Sequence, residues 1–178
     1  YLRLWAPDPS GDGKVHQRGY TLVDPDPSNG EVSLDFVLHL PSGPASHWAG
    51  KATIGDTIKA SYFSSKKFER PEPEPAGYLI AGDAATFPAI NAILNTLPKD
   101  CQIIVVLQDN DADDINIPIA AHEGVQSIRT GSGLNTLADA IPDRDWSNWN
   151  AWIAGESLAV KTLRSRLNQH FGFPRTEV

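Results

Sequence analysis

The sequence predicts an α/β protein of two domains, an antiparallel β-barrel followed by a doubly wound parallel sheet. In the first part of the chain, short strands are separated by turn residues, as in an antiparallel barrel. Further along, apolar strands alternate with a segment of helical spacing, which indicates a parallel sheet. An acidic, proline-rich run at residues 69–75 separates the two patterns and is typical of a linker.

Each predicted element follows from its residue pattern. The barrel strands are predicted near residues 2–6, 19–23, 32–40 and 57–62, with a Pro/Asn/Gly turn at 24–30. The strands of the parallel sheet are predicted at 78–81, 103–107, 125–128 and 151–154, with a helix at 87–97. We therefore predict a partial barrel domain over 1–70, a linker over 71–77 and an α/β domain over 78–178.

Composition and charge narrow the classes of function. The 178 residues are 40% hydrophobic and 21% charged, which is ordinary for a folded globular chain. The net charge of −7 argues against general nucleic-acid binding, which needs a basic face. The histidines are scattered without the spacing of a metal site, and the apolar runs are too short for stable membrane insertion. The single Cys101 precedes an apolar strand and is predicted to be a buried thiol.

A short cluster on the second predicted strand carries the first chemical signal. Arg18, Tyr20 and Thr21 form an R-x-Y-T pattern. The arginine can pair with a pyrophosphate, the tyrosine can lie against an isoalloxazine ring, and the threonine hydroxyl can hydrogen-bond a flavin ring nitrogen. These are the parts needed to hold a flavin dinucleotide. An arginine beside a tyrosine can also simply cover a sheet edge, and the cluster alone leaves both interpretations open.

The next segment strengthens the flavin interpretation. Residues 35–39 are predicted to end a strand, and the Gly43 turn after them opens a helix. The backbone N–H groups at a helix start, together with the Ser46 hydroxyl, suit a phosphate.

With two later blocks, these segments resemble the siderophore-interacting proteins, which are FAD-dependent ferric-siderophore reductases of the ferredoxin-reductase-like superfamily. The blocks are residues 18–21, 35–39 with 43–49, 79–90, and 152–157 running into Leu163 and Arg164. They span most of the chain in order and spacing. The resemblance implies a flavin-binding barrel followed by a nicotinamide-binding-like domain.

The chain also departs from the family pattern. Residues 1–6 already form a barrel strand, no Met is present, and the aromatic and basic tail of the family is missing. Leu40 stands where the family usually has Gly. We therefore expect a fragment that lacks the first part of the barrel.

The resemblance implies an activity, partners and a set of site residues. Electrons would pass from NADH or NADPH, or from a ferredoxin, through FAD to a ferric siderophore in the cytoplasm. The flavin carries the chemistry, so no catalytic side chain and no protein-bound metal is expected. The expected FAD- and nicotinamide-binding residues are Arg18, Tyr20, Thr21, Asp35, Val37, His39, Gly43, Ala45, Ser46, Trp48, Gly82, Asp83, Thr86, Gly155 and Glu156. The expected siderophore-binding cations are Lys66, Lys67 and Arg70.

Several of these residues keep a structural alternative. The basic cluster at 66–70 can be part of a solvated linker, and Gly82 and Gly155 can be tight turns. Glu156 can cap the last helix, and Trp48 can belong to the core. His39 can be a strand-end histidine satisfied within the fold, and Asp35 can serve only to support the turn.

The loop after the second strand of the parallel sheet bears on the electron donor. Asp109 or Asp111 could accept a ribose 2′-hydroxyl and repel a 2′-phosphate, which favours NADH slightly. The loop is acidic throughout, however, and a solvated charged loop is the favoured interpretation. Two rival functions remain at this stage, another NAD(P)H- or ferredoxin-linked flavoprotein reductase and a siderophore-binding protein without enzymatic activity.

Overall fold

A computed structural model describes residues 1–62 and 67–174, so Lys66 lies outside the described residues. The chain divides into two compact units, Tyr1–Lys67 (unit 1) and Phe68–Val178 (unit 2). The division falls just before the acidic, proline-rich run. Each unit is described by itself.

Unit 1 is built on antiparallel strands, as predicted. Its elements in chain order are β1 (Leu2–Pro7), β2 (Val15–Tyr20), β3 (Val23–Asp26), β4 (Glu31–Ser33), α1 (Pro44–Ala49) and β5 (Lys59–Tyr62). Strand β1 lies between β2 and β5, and β3 pairs with β4, all antiparallel. Leu4 and Ala6, two residues apart on β1, are fully buried, because alternate side chains of a strand share one face.

Two strand predictions in unit 1 are wrong in detail. The strand predicted at 19–23 breaks after Tyr20, and β3 begins at Val23. The strand predicted at 32–40 is paired only up to Ser33, and residues 34–40 lie outside any strand or helix. The apolar character of this segment serves side-chain packing, because the Phe36 ring contacts those of Tyr20 and Trp48.

Unit 2 contains the predicted parallel sheet. Its elements are β6 (Gly77–Asp83), α2 (Phe87–Leu94), β7 (Gln102–Gln108), β8 (Val125–Thr130), α3 (Thr136–Asp139), β9 (Trp149–Ile153) and α4 (Ser157–Gln169). Short 3₁₀ turns at Ala84–Thr86 and Ala112–Asn116 follow β6 and β7. The strand order is β8-β7-β6-β9, and all neighbours are parallel. The carboxyl ends of β6, β7 and β9 therefore lie along one edge of the sheet.

Both faces of this sheet are covered, which explains the continuous apolar runs in its central strands. Leu79 of β6 packs on one face with Leu163 and Leu167 of α4. On the other face, Ile80 packs with Phe87 and Ile90. Every residue of β6 is buried.

The helix predicted at 87–97 is shorter than expected and ends at Leu94. The chain then turns, with the Thr96 N–H bonded to the Ile93 carbonyl, while Leu97 remains buried. Pro98 disfavours helical geometry at the residue before it, which accounts for the early end.

The single cysteine of the chain, Cys101, lies in unit 2. Burial raises the pKa of the Cys101 thiol, which is half-buried against the α2 side of the sheet.

In the described ranges 1–62 and 67–174, no helix has the length and apolar character needed to cross a membrane.

Candidate functional site

Three aromatic rings form a row in unit 1. The Tyr20 ring, at the end of β2, has its centroid 4.4 Å from that of Phe36. The Phe36 ring is in turn 6.2 Å from Trp48 of α1. The structure thus joins three separate segments of the sequence through Phe36, which was not among the predicted site residues. Its position between Asp35 and Val37 in a predicted block was the signal that could have identified it.

Arg18 and Thr21 lie next to this row along the chain. Arg18 is two residues before Tyr20 on β2, so their side chains emerge on the same face of the strand. The Arg18 guanidinium is exposed and donates only to the Gln17 carbonyl, at 2.8 Å. Within residues 1–62 and 67–174 it forms no ion pair, and the Thr21 hydroxyl has no hydrogen-bond partner. Both groups are therefore free to bind a ligand.

The turn before α1 is closed by a side-chain contact. The Ser46 hydroxyl oxygen, which is buried, accepts a hydrogen bond from the His39 N–H at 3.3 Å. A Cβ added to Gly43 would lie 3.7 Å from the His39 ring. Gly43 is the N-cap of α1 and contributes no side-chain cap, so the first N–H groups of the helix have no side-chain acceptor. The Ser46 hydroxyl thus uses one of its acceptor positions to brace the turn.

The remaining predicted residues of unit 1 differ in exposure. Asp35 and His39 are exposed, Val37 is half-buried and Ala45 is buried. Asp35 makes no hydrogen bond or ion pair within the described part of the chain, so the structure does not bring it to the aromatic row through a polar contact.

These features of unit 1 fit a flavin dinucleotide. The ligand requires an aromatic surface for its ring system, a cation for its pyrophosphate and a hydroxyl for a ring nitrogen. Tyr20, Arg18 and Thr21 supply these groups from four consecutive positions. Burial raises the pKa of the Tyr20 hydroxyl, so the ring stays neutral at physiological pH.

In unit 2, Asp83 connects two of the loops at the carboxyl edge of the sheet. It ends β6 and is only 8% exposed. Its Oδ1 accepts from the Ala85 N–H at 3.1 Å, and its Oδ2 accepts from the Glu156 N–H, in the loop after β9, at 3.0 Å. Burial raises the pKa of Asp83, although both N–H groups favour its charged form.

The two predicted glycines of unit 2 are required by close packing around Asp83. A Cβ on Gly82 would collide with Thr86 Oγ1, which donates to the Asp83 carbonyl at 2.7 Å. A Cβ on Gly155 would lie 2.9 Å from Asp83 Oδ2, and Gly155 has a φ of 138°. The structure therefore brings Gly82, Asp83, Thr86, Gly155 and Glu156 together around the end of β6.

Glu156 is the N-cap of α4. Its Oε2 accepts from the Leu158 N–H at 2.9 Å and from the Ala159 N–H at 3.0 Å. These two N–H groups lower the pKa of its carboxyl. The structure therefore shows Glu156 capping α4, which is the structural alternative given for it above.

Asp109, considered above as a ribose-binding residue, is instead paired with Arg129. Asp109 Oδ1 lies 2.6 Å from Arg129 Nη1, and both side chains are about four-fifths buried. Arg129 also donates to the carbonyls of Asp114, at 2.9 Å, and Ile117, at 3.1 Å. Sequence reasoning missed Arg129. Its place near the end of the strand next to β7, opposite Leu107, follows from the strand register alone.

We expect Asp109→Asn to lower the free energy of unfolding by about 1 kcal/mol. The substitution removes a charge-assisted hydrogen bond, while Arg129 keeps its two carbonyl acceptors. Urea denaturation followed by circular dichroism measures the change. Asp113→Asn is the matched control, because Asp113 is an exposed acid of the same loop, and its stability should stay within about 0.5 kcal/mol of the parent. Equal stabilities of the two variants would contradict a structural role for the pair.

The predicted siderophore-binding cations are less clearly grouped. Arg70 Nη1 lies 3.7 Å from Glu74 Oε2, and both side chains are about half exposed. Lys67 is exposed and, within the described ranges, unpaired. The two residues belong to different units, and no described contact joins them.

The two units together have the fold of ferredoxin-reductase-like flavin- and nicotinamide-nucleotide-binding proteins. The chain is similar to the siderophore-interacting protein SipS from Aeromonas hydrophila, with a TM-score of 0.76 and 22% identity over 99% of this chain and 74% of that one. It is also similar to ferredoxin-NADP⁺ reductase from Plasmodium falciparum, with a TM-score of 0.65 and 11% identity over 99% of this chain and 79% of that one.

The chain belongs to the siderophore-interacting protein family. The model of the siderophore-interacting FAD-binding domain matches residues 3–61, and that of the siderophore-interacting protein matches residues 75–178. The chain is 45% identical, over its full length, to the mycobactin import ATP-binding/permease protein IrtA of Mycolicibacterium smegmatis, of which it covers 21%. It is 33% identical, over 90% of its length, to ferric vibriobactin reductase ViuB of Vibrio cholerae, of which it covers 61%. The chain thus spans about a fifth of the length of the IrtA relatives.

Proposed function

We propose that this chain is an FAD-dependent ferric-siderophore reductase, which passes electrons from NADH or NADPH through FAD to Fe(III) and releases Fe(II) for iron acquisition. The observation that carries the proposal is the aromatic row beside the unpaired Arg18 and the free Thr21 hydroxyl. Two relatives named for ferric vibriobactin reduction and mycobactin import support a siderophore as the substrate.

The residues of unit 1 would hold FAD by complementary chemistry. Arg18 would pair with the pyrophosphate, and the N–H groups at the start of α1 would donate to a phosphate oxygen. Tyr20 would lie against the isoalloxazine ring, braced from behind by Phe36. The Thr21 hydroxyl would donate to a ring nitrogen and so influence the reduction potential.

When bound, FAD accepts a hydride and passes on single electrons. For each NAD(P)H oxidised, two ferric ions each gain one electron, and the other products are NAD(P)⁺ and one proton. Catecholates and hydroxamates hold Fe(II) far more weakly than Fe(III), so reduction loosens the metal. The chain's own residues bind and orient the partners, and no side-chain nucleophile is needed.

The remaining predicted residues would bind the electron donor and the ferric siderophore. The loops that carry Gly82, Asp83, Thr86, Gly155 and Glu156 would border the reduced nicotinamide. The exposed Lys67 and the half-exposed Arg70 would attract an anionic ferric chelate, with Lys66 as a further cation. The cytoplasm, which supplies reduced nicotinamide, is the compartment that this chemistry needs, and a reduced ferredoxin is the alternative donor.

An anaerobic iron-release assay tests the proposal. The FAD-loaded protein is given NADH or NADPH with ferric mycobactin or ferric vibriobactin, and Fe(II) is trapped by a coloured chelator. We expect iron release that requires protein, FAD and donor together, at two Fe(II) per donor oxidised. Flavin reduction without iron release would point to a different flavoprotein reductase. A protein that binds the chelate but cannot be loaded with FAD would point to a non-enzymatic siderophore-binding protein.

A further inference from the structure

We infer that unit 2 does not recognise the adenosine and pyrophosphate half of a nicotinamide dinucleotide, so its donor is selected by the reduced nicotinamide mononucleotide portion alone. This inference rests on the proposed function, because it concerns the donor of the same reaction. It follows from which groups at the carboxyl edge of the parallel sheet are already occupied.

At two loops, backbone donors of the kind that a pyrophosphate uses are bonded to the chain's own carboxylates. In a doubly wound sheet, dinucleotides bind with their pyrophosphate on the N–H groups of a strand-to-helix turn and helix start. Here the N–H groups of Ala85 and Glu156 donate to Asp83. Those of Leu158 and Ala159, at the start of α4, donate to Glu156. Asp83 and Glu156 thus occupy four of the backbone donors at these two loops.

A dinucleotide could not displace these carboxylates easily. Asp83 is buried, and the absence of a Cβ at Gly155 leaves room for its Oδ2 beside the α4 start. A displaced Asp83 would lose both of its N–H donors while remaining inside the protein, which disfavours a buried carboxylate. A pyrophosphate would also lie next to two like charges. Both effects oppose binding of the anion.

The groups that could recognise the adenosine ribose are also committed. Asp109, which would accept a 2′-hydroxyl, is paired with Arg129 at 2.6 Å. Arg129, the cation that could accept a 2′-phosphate, makes its other contacts with the carbonyls of Asp114 and Ile117. Asp111 accepts from the Asp113 N–H and caps its own 3₁₀ turn. NADH and NADPH should therefore be used about equally.

Direct titration with ADP-ribose, the part of NADH beyond the nicotinamide, tests the inference. In calorimetry with the FAD-loaded protein, we expect no saturable binding up to about 1 mM. With the ferric chelate as acceptor, kcat/KM for NADH, NADPH and reduced nicotinamide mononucleotide should agree within about threefold. Micromolar binding of ADP-ribose would overturn the inference, as would a mononucleotide more than tenfold poorer than NADH.

A variant that should gain ADP-ribose binding tests whether the Asp83 hydrogen bonds are what prevents it. Asp83→Gly frees the Ala85 and Glu156 N–H groups and removes one negative charge, so saturable binding of ADP-ribose should appear below about 1 mM. Asp113→Asn removes one negative charge from the loop after β7 without freeing either N–H group, and it should still show no saturable binding up to about 1 mM. Circular dichroism checks that both variants are folded. No saturable binding in folded Asp83→Gly, or equal binding in Asp113→Asn, would overturn the role of the Asp83 contacts.

This test is separate from that of the proposed function. ADP-ribose binding is measured without electron transfer, so it can succeed or fail whatever the acceptor is. If iron is released while ADP-ribose binds tightly, the reductase stands and the donor inference fails. If neither iron release nor ADP-ribose binding occurs, the proposed function fails, while the absence of adenosine recognition remains supported by the titration.

Discussion

Arg18→Ala should lower the affinity for FAD about 10- to 100-fold, because hydrogen bonds to a charged group contribute about 1.5–3 kcal/mol. The guanidinium has no acidic partner within the described ranges, so its loss should be felt mainly in ligand binding and little in folding. Quenching of flavin fluorescence during titration measures the affinity. The same variant should release iron normally once FAD is added in excess, because no step of the chemistry is assigned to this side chain.

Two further variants sharpen this prediction. Arg18→Lys should recover part of the affinity, since it keeps the charge but loses the planar, bidentate geometry. Lys14→Ala is the matched control, because Lys14 is another exposed cation of unit 1 and is paired with Asp12. Its FAD affinity should stay within about twofold of the parent, as expected for a surface ion pair. Equal losses in Arg18→Ala and Lys14→Ala would show that only net charge matters and would contradict the proposed pyrophosphate contact.

Gly155→Ala should destabilise the protein by about 1–3 kcal/mol, the range for a residue held in a sparsely populated backbone region. Gly155 has a φ of 138°, which residues with a Cβ rarely adopt, and its new Cβ would lie 2.9 Å from Asp83 Oδ2. The neighbouring atom belongs to a buried carboxylate that is held by two N–H groups, so it cannot move aside at low cost. Urea denaturation monitored by tryptophan fluorescence measures the loss.

Gly131→Ala is the control for this substitution. Gly131 lies in the same unit, has no positive φ, and a Cβ there would meet no atom within 4 Å. Its stability should stay within about 0.5 kcal/mol of the parent. A Gly155→Ala variant as stable as Gly131→Ala would refute the close approach of the β9 loop to Asp83.

The strands of unit 2 were more predictable than those of unit 1. Central strands of a parallel sheet are buried on both faces, so β6 and β7 appear in the sequence as continuous apolar runs. In unit 1, the residues of 32–40 predicted a strand, but the structure pairs this segment only up to Ser33. Phe36 turns toward Tyr20 and Trp48, although no strand continues through it. Side-chain packing, rather than a backbone ladder, explains its hydrophobic character.

The site was predictable only as a set of segments. The blocks around Arg18, Asp83 and Glu156 could be recognised because turns and helix starts require particular residues at fixed local spacing. The contacts that decide their roles are long-range. The Glu156 N–H reaches Asp83 across 73 positions, and Arg129 reaches Asp109 across 20. Neither partner could be assigned from local pattern.

The sequence by itself determined the order of the two architectures, the family resemblance and the residues available at each loop. These properties depend on local composition and spacing, which the chain carries whether or not it is folded. The tertiary structure decided which of those residues are free and which are bonded to one another. Arg18 and Thr21 remain available in unit 1, whereas Asp83, Glu156 and Asp109 are satisfied within unit 2. The reason is physical, because a hydrogen bond or ion pair requires two groups within about 3 Å, and only folding brings distant residues to that separation.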